Sequence, residues 1–340
     1  MASVTDGLDD QQSDRAAGVL IGQACGDALG VPYEAGTPPG PGEPAEMKGG
    51  GIGDLAPGEW SDDTALAVAI ADVAATGADL TTPEALDAIA TGFLAFLDSG
   101  PAQIGEQTAA VLGATRDRLT DHVAPAALMT QVAADYAAEH QDEDEHVAGT
   151  GALMRTSAVA LAHLDDRVKL AAAARAVAAL THADPLAAES CVLWCEAIRV
   201  AVVGGQTDVR GGLDLLPPGR RADWARWIDD ALIGPSSNFT ANGSTVAALQ
   251  AATSAIVLTP ASHGHAGDHL QDALHAAVRI GDDTDTIAAI AGALLGAKWG
   301  ASSVPEEWAE RVHGWPGRTG ADLVSLARVA AQGGSGAALA

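Results

Sequence analysis

Apolar residues recur at helical spacing along most of this chain, and polar or helix-breaking residues interrupt the pattern at regular intervals. Each apolar segment is bounded by Gly, Pro, Asp, Ser or Thr, the residues that commonly begin and end helices. Two boundaries are especially clear, because Pro83 follows Thr82 and Pro185 follows Asp184, and proline is tolerated in the first turn of a helix. The predicted helices cover 14–30, 64–76, 83–98, 105–119, 125–139, 168–180, 186–203, 222–233, 243–257, 267–279, 286–298 and 320–331.

The composition supports the same fold class. Hydrophobic residues make up 48% of the 340 residues, which is ample for a large core, whereas aromatic residues reach only 4%. Alanine dominates, and it favours helix over strand. Since no internal repeat or shift in composition divides the chain, we predict an all-α fold, a compact single-domain multi-helix bundle.

The segments between and beyond these helices set the predicted domain limits. Residues 36–59 are too rich in Gly and Pro for a helix or a central strand, and they predict a long loop that acts as a flap. The acidic run at 141–146 predicts a solvated linker. We predict a disordered acidic N-terminus over 1–14, the domain over 15–331, and a disordered tail over 332–340.

Charge excludes some classes of partner. The chain has 18 Lys and Arg against 45 Asp and Glu, a formal net charge of −27. The average surface therefore repels phosphate backbones and acidic membranes, so general nucleic-acid binding and membrane binding are not expected.

Other features predict a cytoplasmic protein. The N-terminal segment lacks the charged and apolar regions of a secretion signal. No apolar run reaches the length needed to span a bilayer, because residues such as Asp72 and Lys298 interrupt the candidates. The three cysteines, Cys25, Cys191 and Cys195, are an odd number within helical segments, and we predict reduced and mostly buried thiols.

Two helix starts carry an unusual number of acidic residues. One is SDDT at 61–64 and the other is GDDTDT at 281–286, and each precedes a nearly uncharged apolar helix. Ser, Thr and Asp are preferred at helix starts, so capping explains either segment alone. One cap needs one acid, however, and here five carboxylates lead into helices that must be buried. Buried negative charge without a partner is prohibitive, so cations must compensate it.

Divalent metal ions are the more economical source of that positive charge. No basic residue flanks the two segments more closely in sequence than Arg279 and Lys48. Oxygen ligands from Asp, Ser and Thr select Mg²⁺, Mn²⁺ or Ca²⁺ rather than zinc. Neither segment has the alternating acids of an EF-hand loop, which counts against a calcium sensor. We therefore predict two adjacent divalent ions bridged by a carboxylate.

Five motifs now point to a family. They are GVLIGQACGDALGVPYE (18–34), SDDT (61–64), GTGALMRTSAVAL (149–161), THADP (181–185) and GDDTDTIAAIAGALLG (281–296). In order and approximate spacing the chain resembles the ADP-ribosylglycohydrolases over about residues 15–330. The resemblance implies an all-helical domain, two divalent cations, Mg²⁺ (or Mn²⁺), and a cleft that accepts ADP-ribose. It implies a hydrolase that cleaves the glycosidic bond between ADP-ribose and an acceptor, and it favours a monomer.

The resemblance also assigns roles to individual residues. Asp62 or Asp63 is the candidate general base on the attacking water, and Glu34 is the alternative acid or base. Asp282 stands where the family usually has a small or amide residue, so we do not count it as a ligand. The metal ligands implied are Ser61, Asp62, Asp63, Asp283, Asp285 and Thr286.

A second set of residues corresponds to the substrate-binding positions of the family. Gly149, Thr150 and Gly151 resemble the glycine loop that offers backbone amides to the diphosphate and ribose, although the family commonly has Asn where Thr150 stands. His182 corresponds to a histidine near the diphosphate.

Members that act on ADP-ribosyl-arginine tend to carry an acid where this chain has Gln103, and Glu106 is a possible substitute from the next turn. Arginine specificity is therefore not assumed. The partner is an ADP-ribosylated protein or a small-molecule ADP-ribose conjugate, and arginine, serine, a nucleotide end or a metabolite all stay open as the acceptor.

Three other interpretations are weaker. A non-catalytic ADP-ribose-binding or structural protein of the same fold predicts decayed metal motifs, whereas both are intact. A haloacid-type phosphatase would need an apolar strand before Asp283 and Asp285, and the segment before them is helical. His263, His265 and His269 suggest zinc, yet no cysteine lies near them, and histidines in acidic loops are usually exposed to solvent.

Overall fold

The computed structural model describes residues 7–34, 36–140, 148–261 and 266–333. Its described part is a helical bundle with a single two-stranded hairpin, so the all-α, single-domain prediction is confirmed, and each of the twelve predicted helices is present. The helices are α1 Asp10–Gly30, α2 Asp62–Ala74, α3 Pro83–Asp98, α4 Glu106–Arg118, α5 Pro125–Glu139, α6 Ser157–Ala162, α7 Arg167–Ala179, α8 Pro185–Gly204, α9 Arg221–Ile233, α10 Thr245–Leu258, α11 Ala266–Val278, α12 Thr284–Trp299, α13 Glu306–Arg311 and α14 Gly320–Ala331. The hairpin pairs β1 His313–Gly314 with β2 Arg318–Thr319.

The first helix begins earlier than the predicted domain start at residue 15. Asp9 caps α1, because its side chain accepts a hydrogen bond from the Gln12 amide at 2.8 Å while the Gln12 side chain accepts from the Asp9 amide at 3.1 Å. The acidic character of residues 10–14 therefore belongs to a first helical turn rather than to a disordered segment.

Other predictions about the chain ends and linkers fall outside the described residues. These are the first six residues of the N-terminus, the acidic run at 141–146 and the tail from 334. The remaining domain limits stay predictions. The loop over 36–59 has no helix and takes part in two isolated bridges, Gly50 to Leu55 and Glu59 to His313. Its action as a flap is likewise still a prediction.

Helices α1 and α12 cross more closely than any side chain would permit. Gly18 lies against the backbone of Gly296, and Gly22 against that of Gly292, so a Cβ atom at any of these positions would overlap the facing carbonyl group. The two helices run antiparallel, because the C-terminal residue of α1, Gly30, lies against Asp285 at the start of α12. Glycine at four-residue spacing thus brings the first turn of α12 beside the last turns of α1.

The same junction receives the start of α2. Asp27, in α1, accepts hydrogen bonds from the Ser61 amide at 2.9 Å and from the Thr64 amide at 3.0 Å. Thr284 donates its hydroxyl to the carbonyl oxygen of Gly30 at 2.8 Å. The two acidic motifs therefore meet at one end of the bundle, over the C-terminal part of α1.

Two expectations about reactive side chains are resolved by burial. Cys25, Cys191 and Cys195 are free and buried, as predicted, and burial raises the pKa of Cys191 to about 11. The expectation that the histidines near 263–269 are exposed is wrong for His269, which is buried in α11 and receives a hydrogen bond from the Trp299 indole at 2.9 Å. His263 and His265 lie outside the described residues.

None of the described helices combines the length and apolar character needed to cross a bilayer.

Candidate active site

A cavity of about 510 Å³ opens where the starts of α2, α4 and α12 meet. Every site residue predicted from the sequence lines it except Ser61, which is buried directly behind Asp63. The loop over 36–59 contributes Ile52 to the wall. The lining residues from the predicted set are Glu34, Asp62, Asp63, Gln103, Glu106, Gly149, Thr150, Gly151, His182, Asp283, Asp285 and Thr286.

The first acidic motif is fixed by capping of α2. Ser61 is the N-cap residue, and its hydroxyl accepts from the Asp63 amide at 3.3 Å and donates to Asp63 Oδ2 at 2.9 Å. Asp62 Oδ2 accepts from the Gly105 amide, at the start of α4, at 3.1 Å. Asp63 Oδ1 is buried and has no hydrogen-bond partner among the described residues. A buried carboxylate oxygen in that state requires a ligand or a proton.

Asp27 is a member of the site that sequence reasoning did not assign. It is fully buried, and its Oδ2 also accepts the Thr64 hydroxyl at 2.6 Å. It orients the first turn of α2 and brings a carboxylate to the same place. A signal was present, because Asp27 is the only acid between Arg15 and Glu34, in the middle of an otherwise apolar helix.

The second acidic motif meets Glu34 and Gln103. The Gln103 amide nitrogen donates to Glu34 Oε2 at 2.5 Å and to Asp285 Oδ2 at 2.8 Å. Thr150, of the glycine loop, donates to Asp283 Oδ2 at 3.3 Å. Gln103, in the loop after α3, therefore links Glu34, which follows α1, to Asp285 at the start of α12.

Asn242 is a second residue that the sequence did not reveal. It is fully buried, and its side-chain oxygen accepts from the Asp283 amide at 3.1 Å while its side-chain nitrogen donates to the Gly281 carbonyl at 3.1 Å. It holds the turn in which Asp282 adopts a positive φ of 63°. Asp282 itself is exposed, in agreement with its exclusion from the ligands.

Two groups of three carboxylates share one residue. Asp27, Asp63 and Asp285 have ligand atoms within 4.8 Å of one another, and so do Glu34, Asp283 and Asp285. Burial raises the pKa of Asp27 and of Asp62 to about 7 and that of Asp283 to about 8, with a further increase from the charge of Asp285. Burial and the charges of Asp285 and its neighbours raise the pKa of Glu34 to about 9.

These features fit divalent cations. The donors are oxygen atoms of carboxylates and hydroxyls, and burial together with the neighbouring carboxylates disfavours ionisation, as the raised pKa of Asp63 indicates. Asp63 Oδ1 is buried without a partner among the described residues. Asp285 is common to both groups of carboxylates.

One buried basic residue, Arg155, was missed because it is distant in sequence from the two acidic motifs. Arg155 is fully buried, its guanidinium carbon lies 4.4 Å from the centre of the Phe93 ring, and its charge opposes the rise in the pKa of Asp62. Its Nη2 donates to Thr181 Oγ1 at 2.6 Å, whereas Nε and Nη1 have no partner among the described residues. A single cation cannot balance six nearby carboxyl groups, so the site still fits divalent metal ions.

The remaining substrate-binding candidates, Gly151, His182 and Glu106, also line the cavity. A Cβ atom on Gly151 would lie 2.9 Å from His182 Cε1 and 2.9 Å from Thr108 Oγ1, so this position has no room for a side chain. His182 is buried, and burial together with the charge of Arg155 lowers its pKa to about 3. Glu106 is exposed at the first position of α4, at the rim.

A second cavity, of about 380 Å³, adjoins the first. The two share Asp62, Ala102 and Gln103, and the second extends between Phe96 and Trp315, whose rings meet edge to face at 5.4 Å. It offers space on the far side of Asp62 and Gln103 from the glycine loop.

The carboxylate pKa values predict that metal-free protein loses stability as the pH rises from about 5 to about 8. The folded-state values of about 7 for Asp27 and Asp62 and about 8 for Asp283 exceed those of an unfolded chain. The folded state therefore binds more protons in this window, and ionising the groups in place costs stability. Urea unfolding with a chelator should show this decline.

Magnesium or manganese should suppress that decline, because the metal binds the ionised carboxylates and its affinity grows with pH. Constant or rising stability of the metal-free protein over the same window would contradict the assignment. Asp282→Asn serves as the matched control, since Asp282 is exposed and raises only the pKa of Asp283, by less than Asp285 does, so it should change the pH profile far less than Asp285→Asn.

Comparison with known proteins gives a consistent picture. The family model described as ADP-ribosylglycohydrolase matches residues 8–338. The chain is 27% identical to ADP-ribosylarginine hydrolase Tri1 of Pseudomonas putida, over 89% of this chain and 75% of that protein. It is 28% identical to ADP-ribosyl-[dinitrogen reductase] glycohydrolase of Rhodospirillum rubrum, over 88% and 90% of the two chains. A solved ADP-ribosylglycohydrolase-related protein complex is similar with a TM-score of 0.70 and 26% identity, over 96% of this chain and all of that one.

Proposed function

The chain belongs to the ADP-ribosylglycohydrolase family, and from that premise we propose that it hydrolyses the glycosidic bond between ADP-ribose and an acceptor. The observation that carries the proposal is the pair of carboxylate groups that share Asp285. All of their members except Asp27 line a cavity that the glycine loop and His182 also line. Its volume of about 510 Å³ lies in the range of small-molecule sites.

Two divalent cations, Mg²⁺ or Mn²⁺, are the proposed cofactors. When bound, they would supply positive charge that holds ribose hydroxyls and makes a water molecule more acidic. Asp27 joins the proposed holders on its geometry, since it is grouped with Asp63 and Asp285. The other proposed holders are Ser61, Asp62, Asp63, Asp283, Asp285 and Thr286.

The chain's own carboxyl groups provide the acid and base. A water molecule attacks C1″ of the distal ribose, the bond from C1″ to the acceptor nitrogen or oxygen breaks, and the leaving group takes up a proton. Asp62 or Asp63 is the proposed base on that water. Glu34 is the alternative acid or base, because burial and the neighbouring carboxylates raise its pKa in the metal-free chain to about 9.

The two cavities suggest how the parts of the substrate are distributed between them. Gly149 and Gly151 leave backbone exposed for the diphosphate and proximal groups, while the second cavity, beyond Asp62 and Gln103, offers room for the acceptor. The relative from Pseudomonas putida is named as an ADP-ribosylarginine hydrolase, so arginine is the first acceptor to test. Because Gln103 stands where members that act on ADP-ribosyl-arginine tend to carry an acid, serine is the necessary second acceptor to compare.

Calorimetric titration with ADP-ribose and release of ADP-ribose from arginine- and serine-linked peptides together test the proposal. Metal-loaded protein should bind ADP-ribose and release it from at least one conjugate, and chelation should abolish both. Binding without release from any conjugate would favour a non-catalytic ADP-ribose-binding protein of this fold. Absence of binding to metal-loaded protein would overturn the proposed ligand.

A further inference from the structure

We propose that Arg155 and Thr181 are positioning residues that fix His182 as a neutral ring with its proton on Nε2, so that it donates a hydrogen bond to a ligand oxygen in the cavity. This inference rests on the proposed function only for the identity of that ligand. Neither positioning residue lines the main cavity.

The direction of the hydrogen bonds follows from the chemistry of arginine. Arg155 can only donate, so at 2.6 Å its Nη2 uses a lone pair of Thr181 Oγ1. The Thr181 hydroxyl also lies 2.7 Å from His182 Nδ1.

Two arrangements satisfy that second contact. If His182 carried its proton on Nδ1, it would donate to Thr181, and the Thr181 hydroxyl proton would need a third partner. Thr181 is fully buried, and its hydroxyl contacts only Arg155 and His182 in the hydrogen bonds of the described chain. Leaving that buried donor unpaired is costly, so the hydroxyl donates to Nδ1 and the ring proton resides on Nε2.

Arg155 also keeps the ring uncharged. Arg155 is a fully buried cation that is connected to the His182 ring through the Thr181 hydroxyl. Burial, together with the charge of Arg155, lowers the pKa of His182 to about 3. Because a neutral ring with Nδ1 accepting must be protonated on Nε2, the free edge is a donor at neutral pH.

That free edge faces the glycine loop. A Cβ atom on Gly151 would lie 3.2 Å from His182 Nε2, and both residues line the main cavity. The ligand atom beside it must therefore be a hydrogen-bond acceptor, such as an oxygen of a diphosphate or of a ribose. A cationic or donor-only group is disfavoured at this position.

Nuclear magnetic resonance of isotope-labelled histidine in the full-length protein tests the inference directly. The ring of His182, identified by the loss of its signals in His182→Asn, should be neutral with the proton on Nε2, and should stay so down to about pH 5. A proton on Nδ1, or a charged ring at neutral pH, would overturn the inference.

Thr181→Val removes the hydroxyl at nearly constant volume. We expect the population of the Nε2 tautomer to fall toward that of a free neutral imidazole and the affinity for ADP-ribose to fall about tenfold, while Thr181→Ser retains both. Thr115→Val is the matched control, because Thr115 is also a buried threonine, bonded to the Val111 carbonyl at 2.7 Å within α4. It should change neither the tautomer nor the affinity.

The result separates this inference from the proposed function. An unchanged tautomer in Thr181→Val would overturn the positioning role whether or not ADP-ribose binds. Conversely, the expected tautomer in a protein that ignores ADP-ribose would overturn the proposed ligand and support the chain from Arg155 to His182, since the measurement needs no ligand.

Discussion

Replacement of Asp285 by asparagine is expected to reduce the hydrolysis of ADP-ribose conjugates by about a thousandfold or more and, in the same protein, to stabilise the metal-free fold. Asp285 belongs to both carboxylate groups, and its charge contributes to raising the pKa of Asp27, Asp62 and Asp283. Neutralising it removes a charge that disfavours ionisation of the other carboxyl groups in metal-free protein, and it also removes the carboxylate proposed to bridge the ions. Initial rates at saturating Mg²⁺ or Mn²⁺, and urea unfolding with and without chelator, measure the two effects.

Asp282→Asn makes the same chemical change three residues earlier in the chain, in the turn before α12. Asp282 is exposed with a positive φ, a conformation that asparagine also adopts readily, so activity and stability should remain close to those of the parent protein. Retained activity in Asp285→Asn would exclude a shared metal-bridging role. A fall in the stability of metal-free Asp285→Asn would show that the carboxylate is held by hydrogen bonds rather than opposed by its neighbours.

The helices could be predicted because their sequence pattern is local. Apolar spacing and capping residues act within a few positions, and the twelve predicted helices are all present. The two short helices α6 and α13 were not predicted, because six residues carry too little of a periodic pattern. The start of α1 was placed too late because the acids of its first turn were taken for a disordered segment, although Asp9 and Gln12 form a capping box.

From the residues alone, the site could be predicted only where motifs repeat a chemical type, whereas Glu34, the glycine loop and His182 followed from the family resemblance. The acidic starts of α2 and α12 stand out in sequence, since one cap needs one acid. Asn242 and Arg155 do not stand out, because their roles come from contacts with residues that are distant in the chain, Asp283 and Thr181. Arg155 shows the limit most clearly, since a search for bases near the acids in sequence leads to Lys48 and Arg279 instead.

Asp27 could be predicted only in part from the sequence. A single acid in an apolar helix signals a buried polar contact, but the sequence does not say what it contacts. Its partners become defined only when the glycines of α1 let α12 approach and so fix the end of the bundle at which α2 begins. The glycine contacts of α1 and α12 are therefore a condition for the site as well as for the core.

That dependence gives the second large expected effect, which is a loss of stability of about 3 kcal/mol or more in Gly292→Ala. The added methyl group would overlap the Gly22 carbonyl, which belongs to backbone and cannot rotate away, so α1 and α12 must separate. Gly113→Ala is the matched control, because a Cβ there meets nothing within 4 Å inside α4, and it should stabilise the protein by about 0.5–1 kcal/mol. Urea unfolding of both variants checks that their changes in stability have opposite signs.

Gly292→Ala should also weaken metal binding, because Asp27 on α1 and Asp285 on α12 move apart together with their helices. Parent-like stability of Gly292→Ala would mean that the two helices do not approach each other at Gly22, and the position of Asp285 beside Asp27 would then lose its structural basis.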